Sequence, residues 1–274
     1  MSSFIYHIKP PGRFTAGLKE LWQYRELFYF FTWRDIKVRY KQTSLGILWA
    51  LIQPLGMMAL FTLLFSKGWA INTGAVPYPV FVLSGLIVWG MFNSAVSHAG
   101  ESIIQHAAII RKIYFPRLII PGSAVLVAFF DFMMGFLAFL VFCIIYGQSV
   151  SWEAFLFFPA GILLLILTAT GAGTLLAGLT AKYRDFRYTV PFILQFLFFG
   201  TQVIYPINQI QHPWLKTILS FNPVNAAIEL FRAPLYHVAP DWALVLKGTA
   251  VMIVLLFTGI YFFRKTEVYF ADLA

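Results

Sequence analysis

The chain has 274 residues, of which 60% are hydrophobic and 11% are charged, whereas a typical soluble domain carries roughly 25% charged residues. A mean hydropathy of +0.77 excludes a soluble globular protein, because too few polar residues are present to cover a surface that faces water. The net charge of +9 arises from Lys and Arg at the ends of apolar runs, which argues against a nucleic-acid-binding surface.

The first 44 residues are basic and aromatic and contain eight of the twenty Lys and Arg residues. Between Thr15 and about Arg39, apolar side chains share a broad arc of a helix, while Lys19 and Glu20 lie opposite. This pattern predicts an N-terminal amphipathic helix in the cytoplasmic membrane interface, strongest over Thr15–Phe30. The alternative is a plain positively charged anchor for the first span.

Six apolar runs are long enough to cross a bilayer, which takes about 20 residues in a helix. Backbone polar groups in lipid must be satisfied within the segment, and strand-like alternation is absent, so these runs predict helices. The predicted fold is an all-α polytopic membrane protein with a six-helix transmembrane domain over residues 45–263. The predicted spans are Leu45–Ser66, Pro79–Ala99, Leu118–Tyr146, Ala154–Thr180, Thr189–Pro206 and Trp242–Phe263.

The charge distribution predicts the orientation of these spans. Six spans place both termini on one side, where sixteen Lys and Arg residues lie, against four on the other side. Short loops rich in Lys and Arg remain in the cytoplasm, so both termini, including the tail 264–274, are predicted to be cytoplasmic.

The third predicted span contains an acidic residue, Asp131. A charge inside the bilayer costs about 2.5–3.5 kcal/mol on insertion scales and often marks a functional site. Asp131 also shares a face with Gly135 and Ala138, and small residues on one face are typical of helix packing. A transport role and a packing role for Asp131 therefore both remain open.

A face of mixed aromatic and amide side chains runs along the fifth predicted span, within about 80° of arc at 100° per residue. Its members are Tyr188, Phe192, Gln195, Phe199 and Gln202. A similar but weaker face of the second span contains Trp89, Phe92 and Asn93. Amides would be unsatisfied in lipid, whereas rings and amides together suit sugar rings that slide past them. These faces predict a substrate channel, the alternative being helix packing or lipid contact.

The segment 207–241 between the last two spans is predicted to be extracytoplasmic. Two short helices fit there, Trp214–Phe221 and Pro223–Arg232, with Asn222 as the N-cap of the second. Both are too short to cross a bilayer, so they predict a re-entrant hairpin, the alternative being a surface cap. Glu229 lies three residues before Arg232, at a spacing that allows an ion pair.

The sequence lacks the signals of an enzyme. It contains no Gly-Lys dipeptide and therefore no phosphate-binding loop of the ATPase type. Its five histidines do not show metal-ligand spacing on one helix. The chain is predicted to carry no catalytic site, metal or cofactor and to depend on another protein for energy.

A set of motifs resembles one family of membrane proteins. In chain order they are Arg34–Thr43, Trp49–Pro54, Tyr114–Arg117, Tyr183–Asp185, Tyr205–Pro206, Asn222–Pro223 and Phe231–Arg232. Together they resemble ABC-2 type polysaccharide export permeases, and the Arg-Tyr-Lys-Gln run is most similar to permeases for O-antigen, the O-polysaccharide of lipopolysaccharide. One departure is Gly200–Val203, where the family has a Ser-Pro-Val run.

The resemblance implies a partner set and a cargo. It implies a homodimer in the bacterial inner membrane, bound to two copies of a separate ATPase subunit that holds ATP and Mg. The implied substrate is an undecaprenyl-linked polysaccharide. The absence of a phosphate-binding loop agrees with that division of labour.

The resemblance also implies roles for the predicted cytoplasmic segment 101–117. A short helix from Glu101 to about Ile110 is expected to couple to the ATPase. Its coupling residues are Glu101, Ile104, Gln105 and Ala108. The basic residues Arg111, Lys112 and Arg117 are expected to meet the lipid diphosphate, because anionic head groups attract basic residues at the membrane surface.

Two other classes of protein remain open. An ABC-2 permease for capsular polysaccharide, teichoic acid, a drug or a lipid shares the six-span plan. A membrane enzyme acting on polyprenyl carriers would need acids near the cytoplasmic face, where Glu101 and Asp185 lie beside spans.

Overall fold

The computed structural model describes residues 21–41, 45–46, 48–67 and 71–267, and these ranges contain helices and no strands. The all-α prediction is therefore confirmed for this part of the chain. The α-helices are α1 (Arg25–Lys41), α2 (Leu48–Lys67), α3 (Tyr78–Gln105), α4 (Ala107–Ile110), α5 (Ile119–Ile145), α6 (Ala154–Lys182), α7 (Phe186–Phe199), α8 (Pro213–Ser220), α9 (Pro223–Tyr236) and α10 (Trp242–Thr266).

Five of these helices, α2, α3, α5, α6 and α10, are long and apolar enough to cross a membrane. They match five of the predicted spans to within a few residues at most ends. Helices α3, α5 and α6 have 28, 27 and 29 residues. At about 1.5 Å per residue they exceed a hydrocarbon core of about 30 Å, so they tilt or project beyond it.

The predicted fifth span differs from the structure, and the six-span count is not confirmed. Helix α7 has 14 residues, or about 21 Å of rise, which is too short to cross the hydrocarbon core. The chain then turns at Gly200, and residues 201–204 are buried inside the protein. Hydropathy extended the predicted span to Pro206 because burial in protein and burial in lipid select the same apolar side chains.

Helix α6 lies at the centre of the fold and packs against α3, α5, α9 and α10. A methyl group added at Gly259 of α10 would lie 2.1 Å from the carbonyl oxygen of Gly171 on α6. One added at Gly173 would lie 2.8 Å from the Cβ of Ala99 on α3. Small residues therefore set the close spacing of the central helices.

Helix α1 corresponds to the later part of the predicted interfacial helix and packs along α5. Phe31 is buried with its ring edge-on to His106, and the ring of Phe28 lies against Gly122, where a Cβ would not fit. The start of the predicted helix, from Thr15 to residue 20, lies outside the described residues.

The predicted coupling helix Glu101–Ile110 is not one separate element. Residues 101–105 continue α3, and the helix breaks at His106 before the single turn of α4. The Nδ1 atom of His106 donates to the Ser102 carbonyl oxygen at 2.8 Å, and the His106 backbone N–H donates to the same oxygen at 3.1 Å. The first part of the predicted coupling helix is therefore an extension of α3.

Helix α9 begins where the sequence predicts. The Asn222 side chain accepts a hydrogen bond from the Val224 backbone N–H at 3.0 Å, which confirms the N-cap. The helix continues to Tyr236, beyond the predicted end. It is buried against α3, α6 and α10, whereas α8 is largely exposed. Helix α9 thus lies within the bundle, and its depth in a membrane stays a prediction.

Candidate functional site

A cavity of about 940 Å³ lies between helices α2, α3, α5 and α7. Its walls combine seven aromatic rings and three side-chain amides with aliphatic and small residues. They include Trp49, Gln53, Phe61, Trp89, Asn93, Phe132, Gln195, Phe198 and Phe199. Rings can stack on the apolar faces of sugars, and amides can donate to and accept from sugar hydroxyls.

Four of the eight predicted channel residues line this cavity. Trp89 and Asn93 come from α3, and Gln195 and Phe199 come from α7. The Trp89 ring packs against Phe198, with 5.6 Å between the ring centroids, and so joins the α3 wall to the α7 wall. The two helix faces that the sequence suggested separately are thus parts of one surface.

Three other predicted channel residues lie outside the cavity lining. Tyr188 and Phe192 are 80% and 61% exposed. Phe92 is buried, with its ring 5.7 Å from that of Trp89, and so supports the wall from behind. The aromatic and amide face of α7 therefore has two parts in one protomer. Gln195 and Phe199 line the cavity, whereas Tyr188 and Phe192 are exposed.

Gln202 does not line the cavity, because it follows the end of α7 and helical spacing no longer applies to it. Its side chain is 3% exposed. Its Nε2 donates to the Asn225 carbonyl oxygen at 2.9 Å, and its backbone N–H donates to the Asn225 side chain at 2.8 Å. Gln202 therefore fastens the turn after α7 to helix α9.

Asp131 forms the charged end of the cavity with Arg39 and Tyr40 of α1. The Arg39 Nη1 donates to one carboxylate oxygen and the Tyr40 hydroxyl donates to the other. The Arg39 Nη2 reaches His98 Nε2 at 3.0 Å and Ser94 Oγ at 3.5 Å on α3. The Arg39 and Asp131 side chains remain 29% and 23% exposed, so the ion pair is accessible from the cavity.

Two neighbours fix the protonation pattern of this network. The His98 Nδ1 lies 2.7 Å from the Ser94 carbonyl oxygen, which can only accept, so Nε2 is left as the acceptor for Arg39. Burial, reinforced by the hydrogen bond to Asp131, raises the pKa of Tyr40 well above its usual range. The Tyr40 hydroxyl therefore remains a neutral donor at physiological pH.

The network joins three helices. Arg39 and Tyr40 lie in the last turn of α1, and Ser94 and His98 lie on α3. Asp131 lies about 18 Å along α5 from its start at Ile119, near the middle of that helix. An ionised group inside a span is costly unless it has partners, and the Arg39 guanidinium and the Tyr40 hydroxyl provide them.

A second set of contacts holds α1 at the break between α3 and α4. Arg34 Nη2 donates to Asp35 Oδ1 at 2.7 Å and also contacts the ring of His106. The guanidinium lies 4.9 Å from the centroid of the Phe31 ring, a cation–π contact. Helix α1 is therefore attached at two points. Arg34 attaches it to the break between α3 and α4, and Arg39 and Tyr40 attach it to α5.

Arg232 of α9 is fully buried and holds the turn that follows α7. It donates to the carbonyl oxygens of Gln202, Val203 and Phe81, the last two at 3.0 Å, and to Ser84 Oγ at 3.2 Å. Its guanidinium lies 3.5 Å from the centroid of the Phe81 ring. The contacts to Gln202 and Val203 satisfy carbonyls that the non-helical turn leaves without helical partners, and those to Phe81 and Ser84 fix the guanidinium to α3.

The predicted ion pair between Glu229 and Arg232 does not form. Glu229 Oε1 accepts from the Asp241 backbone N–H at 3.2 Å, and Oε2 accepts from Gln202 Nε2 at 3.4 Å. The guanidinium of Arg232 is instead surrounded by backbone dipoles, so spacing on one helix face did not decide its partner.

The predicted diphosphate-binding residues Arg111, Lys112 and Arg117 line a cleft of about 190 Å³ beside α4. Arg117 Nε lies 3.8 Å from Glu267 Oε1, and the side chain also contacts the Glu267 carbonyl oxygen. Arg117 therefore links the loop before α5 to the end of α10, while Lys112 is exposed.

The predicted coupling residues lie on both sides of the helix break. Gln105 Nε2 donates to Glu101 Oε2 at 3.1 Å on the extension of α3, and Ala108 belongs to α4. Ile104 faces a separate cavity of about 430 Å³, which is also lined by Arg184 from the turn between α6 and α7 and by Arg187 from the first turn of α7.

The lining also contains residues that are not among the sequence-based candidates, and these include Arg39, Tyr40, Trp49, Gln53 and Phe61. Of these five, all except Phe61 lie in the motifs Arg34–Thr43 and Trp49–Pro54, so membership of those motifs was the available signal. The polarity pattern of α2 alone does not separate Phe61 from its lipid-facing neighbours.

Helices of membrane-crossing length around an aromatic and polar cavity define a membrane transport protein. The ABC-2 type transporter family matches residues 26–236, and this chain belongs to that family. It is 30% identical to the O-antigen export system permease protein RfbA of Myxococcus xanthus, over 93% of this chain and 98% of that protein. An RfbA protein of Klebsiella pneumoniae is 26% identical, with 90% and 95% covered. The polysialic acid transport protein KpsM of Escherichia coli is 22% identical, with 85% and 91% covered.

Proposed function

We propose that this chain is the membrane-spanning subunit of an ABC transporter that exports a lipid-linked polysaccharide across the bacterial inner membrane. It works as a homodimer bound to two copies of a separate ATPase. Family membership and the names of the relatives support this cargo class. O-antigen is favoured because the RfbA relatives are 26–30% identical over at least 90% of the chain, against 22–23% over 85% for the KpsM relatives.

The aromatic and amide lining of the 940 Å³ cavity is the observation that carries the proposal. A sugar chain presents apolar ring faces and many hydroxyls, and both find replaceable partners on such a surface. A purely apolar cargo would leave the amides of Gln53, Asn93 and Gln195 without partners. The lining thus favours a carbohydrate over a drug or a lipid tail alone.

The contacts of α1 support a route from the ATPase to the cavity. The excess of Lys and Arg supports a cytoplasmic position for α1 and the segment 101–117, where a soluble ATPase would bind. Arg34 joins α1 to the α3–α4 break, and Arg39 joins it to Asp131 at the cavity. Closure of the ATPase would move these packed helices as a rigid body.

The exposed residues Tyr188 and Phe192 have a place in this proposal. Each lies on α7 outside the cavity lining of a single protomer. In a homodimer they would face the second copy across a shared channel and extend the aromatic surface that begins at Phe199.

The test is to co-purify the chain with its candidate ATPase and to measure ATP hydrolysis with and without lipid-linked glycan. The variant Trp89→Ala/Phe199→Ala alters the cavity wall. The matched control is Phe155→Ala, which removes a ring that is 89% exposed on α6. We expect glycan to change hydrolysis in the wild type and the control, and to have little effect in the double variant.

Two results would count against the proposal. If no ATPase binds, the assignment to an ABC transporter of this kind fails. If the ATPase binds but the double variant responds to glycan like the wild type, the cavity is not the polysaccharide path. Monodisperse size-exclusion profiles for all three proteins would show that the substitutions leave the fold intact.

A further inference from the structure

Two hydrogen-bond donors converge on one anionic group at the charged end of the cavity. Arg39 Nη1 and the Tyr40 hydroxyl each donate to a different oxygen of the Asp131 carboxylate. Guanidinium groups bind oxyanions through paired, charge-assisted hydrogen bonds. The pair of donors would therefore suit any small oxyanion that reached the same position, and Asp131 is the oxyanion that occupies it in this structure.

Access distinguishes this ion pair from a purely structural tether. Arg39, Tyr40 and Asp131 all line the 940 Å³ cavity, and roughly a quarter of the Arg39 and Asp131 side-chain surfaces is open. By contrast, Arg232 is sealed from solvent by its backbone partners. A ligand in the cavity could thus reach the Arg39 guanidinium without unfolding any helix.

Arg39 would keep its position if the Asp131 carboxylate moved away from it. Its Nη2 contacts His98 Nε2 at 3.0 Å, and the His98 ring is in turn fixed by the Ser94 carbonyl oxygen at 2.7 Å. These contacts come from α3, whereas Asp131 belongs to α5. The guanidinium therefore has a support that does not depend on the carboxylate it binds.

The position of the cluster indicates the kind of ligand. The cluster includes the basic last turn of α1, and apolar and aromatic walls continue from it along the cavity. Lipids with phosphate head groups combine an oxyanion with an apolar chain, and basic sites between membrane helices bind such head groups.

We propose that Arg39 and Tyr40 form a binding site for the phosphate of a lipid head group, and that Asp131 occupies this site until the lipid displaces it. The inference rests on the proposed function, since the lipid carrier of the glycan is one source of such a phosphate. An ordinary anionic phospholipid is the other source. No covalent bond changes: the phosphate takes the two hydrogen bonds, and the released carboxylate is solvated by water in the cavity.

The experiment measures binding of farnesyl diphosphate, a short polyprenyl diphosphate, to the full-length permease in phosphatidylcholine nanodiscs by isothermal titration calorimetry. We expect Asp131→Asn to bind about tenfold more tightly than the wild type, because it removes the competing charge. We expect Arg39→Gln to bind at least about tenfold more weakly, and Tyr40→Phe a few-fold more weakly. Lys37→Gln, which removes an exposed positive charge from the same helix α1, should bind like the wild type. Lys112→Gln tests the rival cleft beside α4, where the sequence predicts a diphosphate contact.

The outcomes separate clearly. Equal or weaker binding by Asp131→Asn, or unchanged binding by Arg39→Gln, overturns the proposal. Loss of binding in Lys112→Gln would assign the phosphate to the cleft beside α4 and would also overturn it. Should Asp131→Asn not give a monodisperse protein, Tyr40→Phe decides the matter, since it retains the ion pair and removes one donor. If Tyr40→Phe then binds like the wild type, the site is refuted.

Two further arms identify the source of the phosphate and isolate the proposed function. Phosphatidylglycerol in the nanodiscs should weaken the binding of farnesyl diphosphate if the site takes ordinary phospholipids. It should leave the affinity for farnesyl diphosphate unchanged if the site takes the glycan carrier. Either result supports a phosphate site. The titration does not require the ATPase, so a permease that binds no ATPase but shows these affinities would refute the proposed function and keep the site.

Discussion

Replacing Arg232 by Met should strongly destabilise the protein. The guanidinium makes four hydrogen bonds, to Ser84 and to the carbonyl oxygens of Phe81, Gln202 and Val203. Met fills much of the same volume but leaves the carbonyl oxygens of Gln202 and Val203 without this donor inside the protein. Each buried acceptor that is left unsatisfied costs about 1–3 kcal/mol, so the two together cost about 2–6 kcal/mol. For a chain of this size that corresponds to a fall in Tm of roughly 10 °C.

The assay is thermal unfolding of the detergent-purified chain, followed by intrinsic fluorescence and by the monodisperse fraction after heating. Arg187→Met is the matched control, because Arg187 is exposed on α7 and exposed substitutions usually change stability by less than about 0.5 kcal/mol. Arg232→Lys should fall between the two, since a single ammonium cannot reach all four acceptors at once. An Arg232→Met protein that melts within about 2 °C of the wild type would refute the reasoning that this side chain holds the turn after α7.

Two further predictions concern packing and capping. Gly259→Ala should lower the Tm by several degrees, because its new methyl group would meet the Gly171 carbonyl oxygen at 2.1 Å and force α6 and α10 apart. Gly56→Ala, where a Cβ meets nothing within 4 Å, should leave the Tm unchanged or raise it, and a similar loss in both variants would contradict this account. Asn222→Ala should cost about 1 kcal/mol through loss of the N-cap of α9, whereas Asn222→Ser should keep most of the stability when both are compared by thermal unfolding.

The arrangement of α1 links the proposed phosphate site to the proposed ATPase surface. Arg34 and Arg39 lie on one helix, the first touching His106 at the α3–α4 break and the second touching Asp131 at the cavity. Displacement of Asp131 by a ligand would release Arg39 and Tyr40 from α5 and leave Arg39 in contact with His98 of α3. The attachment of α1 to α5 at this point would then depend on whether the cavity holds a phosphate.

Local patterns in the sequence were sufficient to predict the five long helices and the N-cap of α9. A run of about 20 apolar residues is long enough to cross the hydrocarbon core, and such runs predicted the five long helices to within a few residues at most ends. Asn222 before a proline also predicted the start of α9, since capping involves only neighbouring backbone groups. The ordered set of motifs placed the chain in the ABC-2 type transporter family, which the comparison confirms.

Partners that lie far apart in the sequence were decided only by the tertiary structure. Asp131 could be read as a packing or a transport residue, because its partners Arg39 and Tyr40 come from a helix more than 90 residues earlier. Gln202 fits the aromatic face of α7 by spacing, yet the helix ends at Phe199 and the side chain turns to Asn225. A helical repeat fixes direction only while the helix continues, and burial in protein resembles burial in lipid in its choice of side chains. The spans of this protein thus follow from its sequence, whereas the cavity and its charged end follow from how those spans pack.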